Sequence, residues 1–489
     1  MMSLAKGTTS TSFSTKYRLR MYVDESYNPQ GDGGNLAFSI KINAYGKTGD
    51  KMLSTVAETL QSNGLGANGV FDTSDSEQRF ITGTDPNNYI WYSGKLWRAV
   101  SIDPSDNSVK LVTQWDISTL PYNASRNTVF QGSYMEQWLN DTSVDGFLGN
   151  LREPDKFIKT DSVWNATLTT ATTKPEKTTM VTDAVGLLNI YEYTMSYKNA
   201  TYSTGYLNNG LYWWILTPYN TSNVHFVNSV GYSYRDSPTN SHGSRPSVNL
   251  KSAVKIIDGD GTVDNPYRLQ GDNDNPTGAL LSTRYSGEYI SFGTGENNLY
   301  QIVSHENGTG TKITSAIPLK DNGNYKKMAF GNNVIFSKNN TIGAFLNSEY
   351  LTSGTYLTSN QVNMIEDNTT WYLGTVGSGA NYKLAKYQDA TGSNLTTSTT
   401  TAKVGLLRLG ELMSGRFGKS GNNPAYWTLT PYSTSIVRDV MGNGSGPSTD
   451  NKSSTNSRGF RPSMNLKSNV VITGGDGTKN SPFKIKLGS

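Results

Sequence analysis

Tyr212-Trp213-Trp214-Ile215-Leu216-Thr217-Pro218-Tyr219, followed after a polar stretch by Arg245-Pro246-Ser247-Val248-Asn249-Leu250-Lys251-Ser252, decides how the chain is read, because it occurs twice. Near the C-terminus Ala425-Tyr426-Trp427-Thr428-Leu429-Thr430-Pro431-Tyr432 leads, again after a polar stretch, to Arg461-Pro462-Ser463-Met464-Asn465-Leu466-Lys467-Ser468. The flanks repeat almost residue for residue. The insides, 220–244 and 433–460, share little and differ in length. A fixed frame around a varied polar segment is how binding surfaces are built.

Each frame closes a longer repeat. The first runs over 81–270 and the second over 284–489, with 271–283, rich in Asp, Asn and Pro, as the linker. Each repeat opens with alternating strands. In the first they are Tyr89-Ile90-Trp91-Tyr92 and Leu96-Trp97-Arg98-Ala99-Val100 around a Ser93-Gly94 turn, then Val109-Lys110-Leu111-Val112-Thr113. In the second, Tyr289-Ile290-Ser291-Phe292 pairs with Leu299-Tyr300-Gln301-Ile302-Val303. Helices are expected at 134–139 and 342–347. Val185 onward and Val404 onward each read as a strand leading into a short helix. Hairpins across Asp260-Gly261 and Asp476-Gly477 end the repeats. Units this long exceed solenoid repeats, so each is a whole domain.

Residues 1–80 form a separate N-terminal region. Tyr17-Arg18-Leu19-Arg20-Met21-Tyr22-Val23 and Leu36-Ala37-Phe38-Ser39-Ile40-Lys41-Ile42 alternate around turn residues and predict a β-hairpin. A short helix is expected within 51–60. A lone hairpin is marginal in water, so these strands are expected to join another sheet. The pair resembles closing strands of biofilm-matrix and camelysin-type surface proteins of Gram-positive bacteria. The opening residues, Met1-Met2-Ser3-Leu4-Ala5-Lys6-Gly7, read as a leader from which an export or anchor segment has been cut away.

Composition narrows the function. Apolar content, counted without Tyr and with Gly, is roughly 39% against the usual ~45–50%, and the difference is made up by neutral polar residues. That mix suits short strands joined by many turns: an α+β, β-rich fold. The net charge of +4 comes without a basic run, so nucleic acid is not indicated. No apolar run approaches the ~20 residues of a membrane span. The chain has no cysteine, which removes disulfides, thiolate metal sites and cysteine nucleophiles together. The three histidines, His225, His242 and His305, have no zinc-ligand spacing, and those in the insert, His225 and His242, are expected to face solvent. Asp258-Gly259-Asp260-Gly261-Thr262-Val263-Asp264 mimics the start of a calcium loop. Its counterpart Gly474-Gly475-Asp476-Gly477-Thr478-Lys479-Asn480 loses the outer carboxylates, so a hairpin turn explains both. No Gly-x-Ser-x-Gly elbow occurs. No catalytic residue, metal or cofactor is expected.

In the frame itself, Trp214 and Trp427 are expected to fill the core with their indole N–H groups paired. Arg245 and Arg461 are expected to satisfy carbonyls or a carboxylate and tie the insert's two ends together. A tryptophan strand, a long polar excursion and Gly459-Phe460-Arg461-Pro462 resemble the C-terminal half of C-type-lectin folds of the formylglycine-generating-enzyme branch. The variable proteins of diversity-generating retroelements, phage tropism determinants among them, use that fold. The first repeat departs from it with Gly243-Ser244-Arg245. The oxidation performed by the enzymes of that branch needs a cysteine pair and is excluded here.

The resemblance implies two tandem C-type-lectin-like domains behind a short β-hairpin region. It implies ligand contact through Asn220, Asn223, His225, Asn228, Tyr232, Tyr234, Arg235, Asp236, Asn240 and His242. In the second insert it implies Ser433, Arg438, Asp439, Asn443, Asp450, Asn451, Asn456 and Arg458. Tyr gives a large, fairly rigid contact, and Ser, Asn and Gly adapt their hydrogen bonds around it. The expected function is non-enzymatic recognition of a protein or glycan on a cell surface, with avidity if both tips engage. The expected location is extracellular, on a cell surface or virion. The alternative is a filament or cell-wall subunit that assembles as a homo-oligomer through its N-terminal strands.

Overall fold

A computed structural model describes residues 53–305, 310–375, 398–414, 424–441 and 449–488, with the side chains at 413, 414 and 449–451 excepted. The expected N-terminal hairpin at 17–42 lies outside these residues. The described part is β-rich, with 35% strand and 14% helix.

The first repeat begins upstream of residue 81. Helix α1 (Val56–Asn63) starts at a capping box in which Thr55 and Glu58 satisfy each other's backbone N–H. Strands β1 (Gly69–Asp72), β2 (Arg79–Gly83), β3 (Tyr89–Tyr92), β4 (Lys95–Ile102) and β5 (Val109–Thr113) follow, then β6 (Ser118–Pro121). Helices α2 (Tyr134–Asn140) and α3 (Pro154–Phe157) precede β7 (Ser162–Asn165), β8 (Met180–Asp183) and helix α4 (Ile190–Ser196). The frame supplies β9 (Trp213–Pro218), β10 (Val224–Val227), β11 (Ser233–Asp236), β12 (Ser241–Ser244) and β13 (Ser247–Leu250). The closing hairpin is β14 (Ile256–Asp258) with β15 (Tyr267–Leu269).

The eight residues of β4 organise this repeat. One edge pairs with β5, and the other is shared by β3 and β2. Ser93 (φ 53°) and Gly94 (φ 70°) form the two-residue β3–β4 turn, whose twist requires both residues to be left-handed. Because β1 and β2 extend this sheet, 54–80 belong to the first repeat, not to a separate region. Five strands in the order β11-β10-β9-β12-β6 make a second sheet, in which β12 runs parallel to β9.

The second repeat starts with β16 (Tyr289–Ser291), β17 (Leu299–His305) and β18 (Thr311–Ser315), then β19 (Lys320–Asp321), β20 (Asn324–Tyr325) and β21 (Met328–Ala329). Helices α5 (Thr341–Asn347) and α6 (Ser359–Met364) precede β22 (Thr369–Tyr372), β23 (Thr399–Ala402) and helix α7 (Leu409–Ser414). The frame is β24 (Tyr426–Pro431), β25 (Ile436–Val440), β26 (Thr449–Ser453), β27 (Ser457–Phe460) and β28 (Ser463–Asn465), closed by β29 (Val470–Gly474) and β30 (Lys484–Leu487). Its sheets, β16-β17-β18-β28 and β21-β27-β24-β25-β26, repeat the first copy's order, including a parallel β24–β27 pair.

The copies also agree side chain by side chain. Trp164 lies against Gly186, where an added Cβ would fall 2.4 Å from the ring; Trp371 and Gly405 repeat this at 2.7 Å. Both glycines make a single bridge, to Ser247 and Ser463. Residues after Val185 and Val404 therefore run as extended chain into α4 and α7, not as the expected strands.

Two further expectations change. The stretch 271–283 is no free linker. Asp272 and Asn273 are buried, and Asp272 accepts from Ser93 N at 3.2 Å while Asn273 Nδ2 donates to Glu288 at 2.5 Å. The two repeats also share a core. Leu407, Leu409, Leu412, Tyr426 and Val440 join the first repeat's apolar cluster. In the first repeat α4 is covered by β2, and in the second α7 lies on β6 of the first. The segment 54–83 thus gives the first repeat the cover that the first repeat gives the second. Among the described residues no helix is long and apolar enough to cross a membrane.

Candidate functional site

The inserts between frame strands are themselves sheet. β9 stops at Pro218, which cannot continue the ladder. Asn220 then turns the chain by accepting from Ser222 N and Asn223 N, both at 2.8 Å, and β10 and β11 return as a hairpin. The expectation of loops is corrected here: 220–244 contains three strands and 433–460 repeats them.

The frame residues do what their chemistry suggested. Trp214 Nε1 donates to Leu120 O, and Trp427 Nε1 to Met328 O, both at 2.9 Å. Arg245 is buried and donates from Nε to Thr113 O (2.8 Å) and from Nη1 to Leu207 O (2.7 Å), with its guanidinium 4.5 Å from the Trp213 ring centre. Arg461 donates from Nε to Ser315 O at 2.6 Å and lies 5.4 Å from Tyr426, which occupies the place of Trp213. Both arginines hold the platform together; neither is presented at the tip.

Alternation gives the first tip two faces. On one, Trp214, Phe226 and Tyr234 form a cross-strand row. His242 stacks on Phe226 at 4.3 Å and donates from Nε2 to Asp236 at 2.9 Å. That bond, with one from Asn240 at 2.8 Å, links β11 to β12, and the His242 contact holds the Asp236 carboxyl below the usual carboxylate range. On the other face, Arg235 donates to Tyr219 Oη at 2.8 Å with its guanidinium 4.7 Å over that ring.

His225 is buried, contrary to the expected exposure. Its Nε2 donates to Thr169 O at 2.9 Å, and burial lowers its pKa. Asn228 has its Oδ1 engaged by Val230 N and Tyr232 N, so it builds the turn. Tyr232 is 49% exposed and Tyr234 55%, and Arg235 and Asn240 are exposed beside them. Tyr202, 42% exposed, packs edge-on to Tyr232 at 5.5 Å and extends the array. Sequence reading missed Tyr202, although its neighbours Asn199, Thr201 and Ser203 share the inserts' composition.

The second tip keeps the geometry and changes the chemistry. Arg438 takes the place of His225 and lies 4.6 Å over Tyr432, the counterpart of Tyr219. Asp439 and Arg458 take the places of Phe226 and His242, and the aromatic stack becomes an ion pair at 2.6 Å. Arg438 and Asp439 are buried, so they organise the tip and do not present it. Ser433 starts the turn, its Oγ accepting from Ser435 N at 3.5 Å, and Asn456 is exposed beside β27. Asp450 and Asn451 lie opposite Asp439 and Arg438 in β26, and Asn443 lies outside the described residues.

Elsewhere the candidates are already occupied. A cleft of about 520 Å³ between α4 and the β7–β8 hairpin is lined by Lys174, Lys177 and Lys110, each paired with Asp75, Glu77 or Glu192. The calcium-like stretch is a turn: Asp260 accepts from Thr262 N at 3.0 Å and Asp258 from Arg268 at 3.0 Å. Among the described residues no cluster of three His, Cys, Asp or Glu could hold a metal. No family model, curated protein or solved structure matches the chain.

Proposed function

We propose that the chain is a non-enzymatic recognition protein of a cell surface or virion, built from two tandem C-type-lectin-like domains that bind protein or glycan ligands at their sheet tips. One observation carries the reading. Equivalent positions on one rigid frame hold Phe226 and His242 in the first copy and Asp439 and Arg458 in the second. A platform whose tip-organising residues change while its backbone does not can present different surfaces to different partners. The exposed tyrosines of the first tip supply rigid amphipathic contact area at low entropic cost.

The test is an array of glycans and cell-surface proteins probed with the intact chain and with a Tyr202→Ala, Tyr232→Ala, Tyr234→Ala variant. Signal lost in the variant with the fold retained supports the reading. Signal retained in full, or none from the wild type, argues against it.

A further inference from the structure

The frame repeats an asparagine, Asn249 and Asn465, that neither tip uses. Asn465 of β28 lies directly opposite Lys312 of β18 in antiparallel register. Directly opposed residues project to one face with Cβ atoms about 4.5–5.5 Å apart. Lys312 Nζ donates to Glu411 Oε1 of α7 at 2.6 Å and lies 5.3 Å from the Trp371 ring centre. Glu411 is itself fixed, since Arg408 N donates to its Oε2 at 2.9 Å. Lys312, Glu411, Asn465 and Trp371 are each at most 3% exposed. Asn465 Oδ1 is buried with no hydrogen-bond partner among the described residues.

A buried lysine–glutamate pair is a weak stabiliser, because desolvation offsets the attraction, and a buried amide oxygen without a donor is rare. The trio therefore asks for more than an ion pair. We propose that Lys312 and Asn465 are joined by an intramolecular isopeptide bond which the folded chain forms itself, with Glu411 carrying the protons.

The atoms balance. In a site closed to water one proton moves along the Lys312 Nζ–Glu411 Oε1 hydrogen bond from the ammonium to the carboxylate. The neutral Nζ attacks Asn465 Cγ and forms the new C–N bond. Glu411 gives its proton to Nδ2 and takes one from Nζ. The Cγ–Nδ2 bond breaks with its electron pair on nitrogen, and ammonia leaves. Nothing is oxidised or reduced, so no co-reactant is needed.

The bond ties an early strand of the repeat to its last frame strand, in a chain with no cysteine to make a disulfide. The first repeat holds the same set, with Lys110 opposite Asn249, paired with Glu192 and 4.9 Å from Trp164. There 11% of the Lys110 side chain stays open to solvent and Asn249 is not fully buried, so the assignment is to the second repeat.

Intact-mass spectrometry of the full chain with peptide mapping tests this. The expected result is a mass one ammonia below that of the sequence, and a branched peptide containing both Lys312 and Asn465. Lys312→Arg, which keeps the cation, and Glu411→Gln should each restore the full mass. Peptides with free Lys312 and unmodified Asn465 in the wild type would overturn the proposal, whatever the variants do. So would an ammonia loss that maps to a cyclised asparagine elsewhere. A branched peptide that persists in Glu411→Gln would remove Glu411 from the chemistry.

Discussion

Replacing Arg458 with alanine tests whether the two tips are one device in two chemistries. Asp439 is fully buried, and Arg458 Nε donates to its Oδ2 at 2.6 Å. Removing the arginine takes this partner from a buried carboxylate, and breaking a buried pair costs about 3–5 kcal/mol. Arg458 is partly exposed, with 23% of its side chain open to solvent, so screening places the loss near the lower end, about 3 kcal/mol. For a repeat of this size that is roughly 6–12 °C in Tm. The same positions in the first copy hold Phe226 stacked on His242. Asp439→Phe combined with Arg458→His should therefore recover most of the loss, giving a coupling of about 2 kcal/mol in a double-mutant cycle. Thermal and urea unfolding of the wild type, Arg458→Ala, Arg458→His, Asp439→Phe and the double variant measure both. If the losses simply add, the positions are not equivalent and the shared-frame argument fails.

Tyr232→Ala with Tyr234→Ala removes exposed rings, so stability should move by less than about 0.5 kcal/mol. Binding to any array-identified ligand should fall by about 2 kcal/mol or more, roughly 30-fold. Gly405→Ala would drive a methyl group to 2.7 Å from the Trp371 ring and should cost about 1–3 kcal/mol in urea unfolding; Gly186→Ala against Trp164 should do the same. Burial raises the carboxyls of Asp116 and Glu288 to about 7 and of Asp272 to about 6. Because these folded values exceed the unfolded ones, their contribution is complete below about pH 4 and is lost as pH rises through 6–7. Carboxyls held low, such as Asp75 and Asp236, act only at more acidic pH. Stability, and Tm with it, should therefore fall as pH rises from about 4 to 7, by up to about 3 kcal/mol for Glu288, and Glu288→Gln should flatten part of that slope. A Tm that rises over this window would contradict the assignment.

The hairpins were legible because their turns carry local chemistry. Ser93-Gly94 and Asp260-Gly261 sit where alternation reverses, and the strands pair across them. The duplicated frame was legible because Trp, Pro and Arg do the same work in both copies. The inserts read as loops because some of their partners are distant in sequence. His225 is buried by a carbonyl at Thr169, and Asp439 by Arg458 across the sheet. The apolar run from Val185 read as a strand, yet Gly186 has to lie flat on Trp164, which leaves room for one bridge only. Asp272 and Asn273 looked solvated by composition. They are buried because Ser93 N of the first repeat and Glu288 of the second are there to meet them.

The most direct measurement is calorimetric titration of an array-identified first-tip ligand into the wild type and into a chimera. The chimera carries the second copy's 433–458 in place of 220–242, between unchanged frame residues. The chimera should fold with wild-type Tm and no longer bind this ligand. Unchanged affinity and stoichiometry in the chimera would place recognition elsewhere on the molecule and contradict it.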